Sequence, residues 1–299
     1  MSTGPSSVAI VVDGLRKKYK QTVALDGLSF EVPGGALTGF LGPNGAGKTT
    51  TFRSLLGLTR PDNGRMEILG MKVGAETAEI VKRLGAVVEE PGLVKGLNGR
   101  DNLRVAALTL GRGSERIEEM LDFVGLTDAA GRRVDGYSKG MRQRLALGAA
   151  LLGDPDLLFL DEPLDGLDPA GQSQIKQKLR ELAQQGKTVV VSSHNLNDVE
   201  AIADHVIVIN RGKLVSSGSL TDLLGKRGFR VVAEPLAETA RVLEGAGLRT
   251  AIVDGGVVVD TEDGSVVSRL LASAGIYPSE LVRDSARLEH VFLELTGGT

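Results

Sequence analysis

Through the first two thirds of the chain, short apolar runs alternate with longer stretches of helical periodicity. Residues 36–41, 157–160 and 188–193 are largely apolar and bounded by turn residues, the pattern of buried strands. Residues 8–12, 24–32 and 65–69 predict further strands, with turns at Pro33-Gly34-Gly35 and Pro61-Asp62-Asn63-Gly64. Helical spacing marks residues 50–58, 98–110, 117–124 and 170–185, and a further helix opens after Gly136 and runs to about 152. The helical stretch from 91 to 136 therefore interrupts two strand-bearing parts. Residues 206–209 and 213–217 read as a closing hairpin around Asn210-Arg211-Gly212.

Beyond residue 225 the order changes to strand 229–233, helix 236–244, strands 249–253 and 257–261, helix 266–274, strand 280–283 and helix 288–295. That order suits a small ferredoxin-like α+β unit. The chain thus divides into residues 1–7, expected to be mobile, a large α/β domain over 8–224, and an accessory α+β domain over 225–299.

Composition narrows the class. Hydrophobic content of 41% and charged content of 24% are those of a globular protein. Aromatics supply 3% and Trp is absent, so an aliphatic core is expected. A net charge of −3 argues against a dominant nucleic-acid surface. No apolar run approaches the ~18 residues of a membrane helix. Residues 1–7 lack the basic start and apolar stretch of a secretory leader, so the chain is expected to stay in the cytoplasm. With no cysteine, disulfides, thiolate metal sites and cysteine nucleophiles are excluded.

The chemistry centres on Gly42-Pro43-Asn44-Gly45-Ala46-Gly47-Lys48-Thr49, a match to G-x-x-x-x-G-K-[ST] between a predicted strand and a predicted helix that begins at Thr50. Glycines let the backbone close around phosphate oxygens, so that amide N–H groups and the helix N-terminus face negative charge. Lys48 would bridge the β- and γ-phosphates, and the Thr49 hydroxyl would ligate Mg²⁺. In Asp156-Leu157-Leu158-Phe159-Leu160-Asp161-Glu162-Pro163 two acids end an apolar strand, where α/β sheets carry their chemistry. Asp161 would hold Mg²⁺, and Glu162 would polarise the water that attacks the γ-phosphate.

Other positions are open on the residues alone. His194 follows the strand at 188–193 and can donate a hydrogen bond to the γ-phosphate, although a lone histidine is more often structural. His205 and His290 read as structural. Tyr19 can stack on adenine or simply fill a half-exposed strand position. The turn at Gly136-Tyr137-Ser138-Lys139-Gly140 opens a helix and offers a second anion site, yet Ser and Gly are also ordinary caps.

Together these motifs resemble the nucleotide-binding subunit of ABC transporters over residues 8–222. Residues 42–49 resemble its Walker A loop, 157–162 its Walker B strand with the catalytic glutamate, and 137–141 its signature sequence. Asp168 matches the D-loop aspartate, His194 the switch histidine and Tyr19 the A-loop aromatic, which favours adenine stacking. No guanine-recognition Asn-Lys-x-Asp motif is present. The resemblance implies a P-loop ATPase core with an antiparallel β-subdomain and a helical subdomain over about 91–153. Two positions depart from the pattern. The signature keeps Ser138 and Gly140 but carries Lys139 and Met141, and the Q-loop position holds Glu89 in place of glutamine. A carboxylate at 89 can ligate Mg²⁺ but adds negative charge beside Asp161 and Glu162. Both variants resemble the bacterial drug-, bacteriocin- and lantibiotic-exporter branch.

The resemblance further implies ATP and Mg²⁺ as cofactors, a head-to-tail pair of chains with each ATP between one Walker A loop and the other chain's signature, and separate membrane-spanning permease subunits. It implies a place at the cytoplasmic face of the membrane and no nucleic-acid partner. The alternatives are a soluble ABC-type ATPase acting on nucleic acid or ribosomes, and a low-turnover nucleotide-dependent regulator. The segment 288–297 also resembles the C-terminus of exporter ATPases of that branch, as a dimer contact, a regulatory element or a plain cap.

Overall fold

The computed structural model describes residues 8–89, 92–224, 228–253 and 255–284, with Leu288 and Phe292. The expected mobile start at 1–7, Glu90 and Pro91 at the head of the helical insertion, and most of the closing helix at 288–295, including His290, lie outside the described residues. Two compact units divide the chain, Met1–Gly218 and Ser219–Thr299.

In the first unit, β1 (Val8–Tyr19) and β2 (Thr22–Pro33) form a long antiparallel pair. The expected strand over 8–12 runs on to Tyr19 because β2 pairs with β1 as far as Tyr19, and β4 pairs with its other edge from Ile10 to Arg16. Its apolar run ends early, but Leu15 is fully buried, and none of the residues after it in the strand is. β3 (Leu37–Leu41) leads through the Gly42–Gly47 loop into α1 (Lys48–Leu55). Then follow β4 (Asn63–Ile68), β5 (Met71–Lys72), α2 (Thr77–Lys82) and β6 (Leu84–Val87). The helical insertion comprises α3 (Gly99–Thr109), α4 (Ile117–Phe123) and α5 (Lys139–Leu151). The core resumes with β7 (Leu157–Asp161), α6 (Pro169–Gln184), β8 (Thr188–Ser193), α7 (Leu196–Glu200), β9 (His205–Asn210) and β10 (Lys213–Ser219).

These strands make an antiparallel sheet, β2-β1-β4-β5, and a six-stranded sheet, β10-β9-β3-β8-β7-β6. In the second sheet β3 pairs in parallel with β8 and β9, and β7 with β6 and β8. β3, β7 and β8 are buried along their whole length, as central parallel strands must be. The register puts Leu41 beside Ser193 and Asp161 beside Ser192, so the carboxyl ends of three strands finish level. That is the crevice where open α/β sheets bind ligands.

The core is not purely aliphatic. Phe30, Phe40, Phe52 and Phe159 stack in a chain with ring centroids 5.3, 5.5 and 5.2 Å apart. All four are buried, and they tie β2, β3, α1 and β7 together below the Gly42–Gly47 loop. The low aromatic content misleads because four of the seven phenylalanines are spent at one place. Each tilted pair adds about 0.5–1.5 kcal/mol beyond its buried area. In the insertion, Asn98 caps α3, its Oδ1 accepting from the Asp101 amide at 2.8 Å while its Nδ2 donates to the Asp101 carboxylate at 2.7 Å.

In the second unit a short helix, α8 (Leu220–Leu223), precedes β11 (Gly228–Val232), α9 (Leu236–Gly245), β12 (Thr250–Val253), β13 (Gly256–Val259), α10 (Gly264–Ser273) and β14 (Glu280–Asp284). The sheet order is β12-β13-β11-β14 and its pairings are antiparallel, the arrangement of a ferredoxin-like unit. Phe229, Val231, Leu243, Val257, Val259, Val267 and Leu271 close its core.

Candidate functional site

The loop after β3 exposes Pro43, Asn44 and Gly45 and buries Gly42, Ala46 and Lys48. Gly47 turns the chain into α1 with φ +108°, and a Cβ there would lie 2.8 Å from the Ala24 carbonyl. No other residue fits that turn. The Thr51 amide and hydroxyl both donate to Gly47 O at 2.9 Å, which starts the helix cleanly. The first-turn amides of α1, from Lys48 through Thr50, have no carbonyl a turn earlier to bind and are free to face an anion.

Lys48 is 7% exposed, and its Nζ donates to Gly42 O at 2.7 Å and stands 3.6 Å from Glu162 Oε1. Thr49 Oγ1 donates to Asp161 Oδ2 at 3.0 Å, which joins the start of α1 to the end of β7. The other Asp161 oxygen, Oδ1, accepts from the Ser192 hydroxyl on β8. Glu162, one residue past the strand, has a left-handed backbone with φ +49° and an amide that donates to Ser192 Oγ at 3.0 Å. Its Oε2 lies 2.8 Å from His194 Nδ1. A carboxylate only accepts, so that ring nitrogen carries the proton. Donation from the other ring nitrogen to a phosphate then requires the imidazolium, or a ring released from Glu162.

Lys48, Thr49, Asp161, Glu162 and His194, singled out in the sequence, thus stand together at one place. Sequence reasoning missed Ser192. It lies in an apolar run, and only the alignment of β7 against β8 reveals its partners. Glu89 is held differently from the expectation. Past β6, at φ +64°, its Oε1 lies 2.8 Å from Arg53 NH1 on α1. It still lines one cavity of about 660 Å³ with Asp161, Glu162, Asp165, Lys139 and Arg142.

Tyr19, Ser138, Gly140 and Asp168 stand apart; among the described residues no hydrogen bond or ion pair joins them to the Lys48 cluster. Tyr19 is 44% exposed at the end of β1, with Lys17 Nζ 5.3 Å from its ring centre. Ser138 caps α5, its Oγ accepting from the Met141 amide at 3.2 Å. Asp168 caps α6, accepting from the Gly171 amide at 3.2 Å. Lys139 Nζ lies 2.6 Å from Asp165 Oδ2, and this contact holds the Asp165 carboxyl below the usual carboxylate range.

The donor set fits Mg²⁺. Thr49 Oγ1 and Asp161 Oδ2 are adjacent hard oxygens, and this ion is commonly held by one or two protein ligands plus phosphate oxygens and water. No cluster of three or more acids or histidines suited to a metal occurs among the described residues.

A family model described as ABC transporter matches residues 25–165. The chain is 38% identical to an uncharacterized ABC transporter ATP-binding protein, YhcH, of Bacillus subtilis (strain 168), over 95% of this chain and 94% of that one. It is 36% identical to a daunorubicin resistance ATP-binding protein, DrrA3, of Streptomyces coeruleorubidus, over 98% and 97% of the two chains. Among solved structures it is similar to a dimeric ATP-binding cassette in a post-hydrolysis state bound to ADP and Pi. That match has a TM-score of 0.66 and 25% identity, covering 71% of this chain and 99% of the other.

Proposed function

The chain belongs to the ATP-binding proteins of ABC transporters, and from that premise we propose that it drives efflux of a drug- or antibiotic-like cargo through separate membrane-spanning permease subunits. The observation that carries this reading is the convergence of Lys48, Thr49, Asp161, Glu162 and His194 at the level ends of β3, β7 and β8. The relatives' names support the cargo class.

In this reading Gly42 to Thr50 wrap the triphosphate, and Lys48 exchanges Gly42 O and Glu162 for β- and γ-phosphate oxygens. Thr49 and Asp161 would hold Mg²⁺, which when bound would neutralise charge building on the transferring phosphoryl group. Released from Lys48, Glu162 orients a water. The water oxygen attacks the γ-phosphorus, its proton passes to the carboxylate, and the bond to the β-phosphate oxygen breaks, leaving ADP and inorganic phosphate. His194 stays within reach of both Glu162 and the γ-phosphate. Tyr19 lies against the adenine. Two copies pair head to tail, so that Ser138, Gly140 and Asp168, which stand apart from the cluster of their own chain, meet the partner's nucleotide.

No described helix is long and apolar enough to cross a membrane. In the proposed reading the work passes to permease subunits, with this chain peripheral at the cytoplasmic face. A cavity of about 400 Å³ between β6, α3 and α5, lined by Val87, Leu93, Val105 and Leu110, suits an apolar permease segment, and the loop bearing Glu89 adjoins it. A Glu162→Gln chain is expected to bind ATP, lose nearly all hydrolysis and accumulate as a dimer. With Mg²⁺-ATP it should recover a polytopic membrane protein in fixed ratio from solubilised native membranes. Unchanged hydrolysis would remove Glu162 from its role, and recovery of ribosomes or DNA would favour the soluble-machine alternative.

A further inference from the structure

We infer that Ser192 is a positioning residue for hydrolysis, one hydroxyl setting both the metal-binding acid and the backbone of the catalytic acid. The inference rests on the ATPase reading above.

Ser192 is fully buried on β8 directly opposite Asp161 in the parallel ladder. A serine hydroxyl has one proton to give and lone pairs to accept with. Here the proton goes to Asp161 Oδ1, and the oxygen receives the Glu162 amide at 3.0 Å. With Oδ1 engaged, the carboxylate presents Oδ2 to Thr49 Oγ1 at 3.0 Å, and these are the two oxygens that would hold Mg²⁺ in the reading above. The amide bond acts where the chain leaves β7 in a left-handed conformation that non-glycine residues seldom adopt. Fixing that turn sets the Glu162 carboxylate between Lys48 and His194.

The neighbouring hydroxyl does other work. Ser193 Oγ donates to Asn195 O at 3.2 Å and accepts from the Asn195 amide at 2.9 Å, shaping the entry to α7. Of the two adjacent serines, only Ser192 reaches the acids. An apolar residue at 192 would leave the Glu162 amide without its partner and let the Asp161 carboxylate rotate away from Thr49.

The test is Ser192→Ala in the full chain, beside wild type and Glu162→Gln. Steady-state ATP hydrolysis is measured together with amide hydrogen exchange at Glu162 in nucleotide-free protein. The expected result is a kcat lowered about 10- to 100-fold with KM for ATP within about twofold, because the phosphate loop and Lys48 are untouched while the orientation of Asp161 and Glu162 is displaced. Glu162 amide exchange should speed up about tenfold or more once its bond is lost. A kcat within about twofold of wild type, kcat and ATP affinity falling together, or unaltered exchange would each overturn the inference. Absence of hydrolysis in wild type would instead remove the ATPase reading, and the exchange comparison would still decide whether the hydroxyl holds the Glu162 backbone.

Discussion

Lys139 and Asp165 form an ion pair, Nζ to Oδ2 at 2.6 Å, between the first residue of α5 and the loop before α6. The lysine stem lies over Gly166, whose φ is +74° and where a Cβ would come within 2.5 Å of Lys139 Cδ. Gly140 adds to the contact, since a Cβ there would stand 2.8 Å from Leu167 Cδ2. The two segments proposed to face a partner's nucleotide are therefore fastened to each other within one chain.

Reversing the charge with Lys139→Glu sets two acids together and is expected to lower ATP hydrolysis about tenfold. Adding Asp165→Lys should restore most of it. If Lys139 instead acted on the triphosphate held by a second chain, the double reversal would stay inactive, so the hydrolysis rate of the double variant decides between the two roles.

Arg53 pairs with Glu89, which lines the cavity that holds Asp161 and Glu162. Both side chains are about half exposed, so the pair is worth only about 0.2–1 kcal/mol to stability and weakens with salt. Its larger effect is electrostatic. Arg53→Met leaves Glu89 unneutralised near the phosphates and is expected to raise KM for ATP about threefold, with Glu89→Gln reversing the rise. A KM that ignores both substitutions would show that the carboxylate at 89 is not felt by the nucleotide.

His205 opens β9 half-buried, and its Nδ1 has no hydrogen-bond partner among the described residues. Burial pushes its pKa below the usual 6.5. Between the depressed value and 6.5 the unfolded chain binds more protons than the folded one, so the stability contribution is complete above 6.5 and is lost as pH falls through that window. His205→Leu should flatten the decline in urea midpoint measured between about pH 7 and about pH 5. Equal slopes for the two proteins would show that His205 titrates as it does in the unfolded chain.

Much of this protein was legible in its residues because the decisive motifs are local. A phosphate loop is one contiguous strand-turn-helix, and its glycines, Lys48 and Thr49 carry their meaning in their spacing. Asp161 and Glu162 end an apolar run, which places them at a strand's carboxyl end without knowledge of any neighbour. The second unit was readable for the same reason, its element order alone suiting the ferredoxin-like sheet that the structure contains.

What the tertiary structure alone decided depends on contacts between segments. Ser192 meets Asp161 across 31 residues, Arg53 meets Glu89 across 36, and Lys139 meets Asp165 across 26. Four phenylalanines scattered from 30 to 159 become one stack beneath the loop. Periodicity along a strand tells which residues are buried, but not which strand lies alongside or in what register. Those are set when non-local strands dock and buried polar groups meet their partners, and there Ser192 acquires the two acids that it holds.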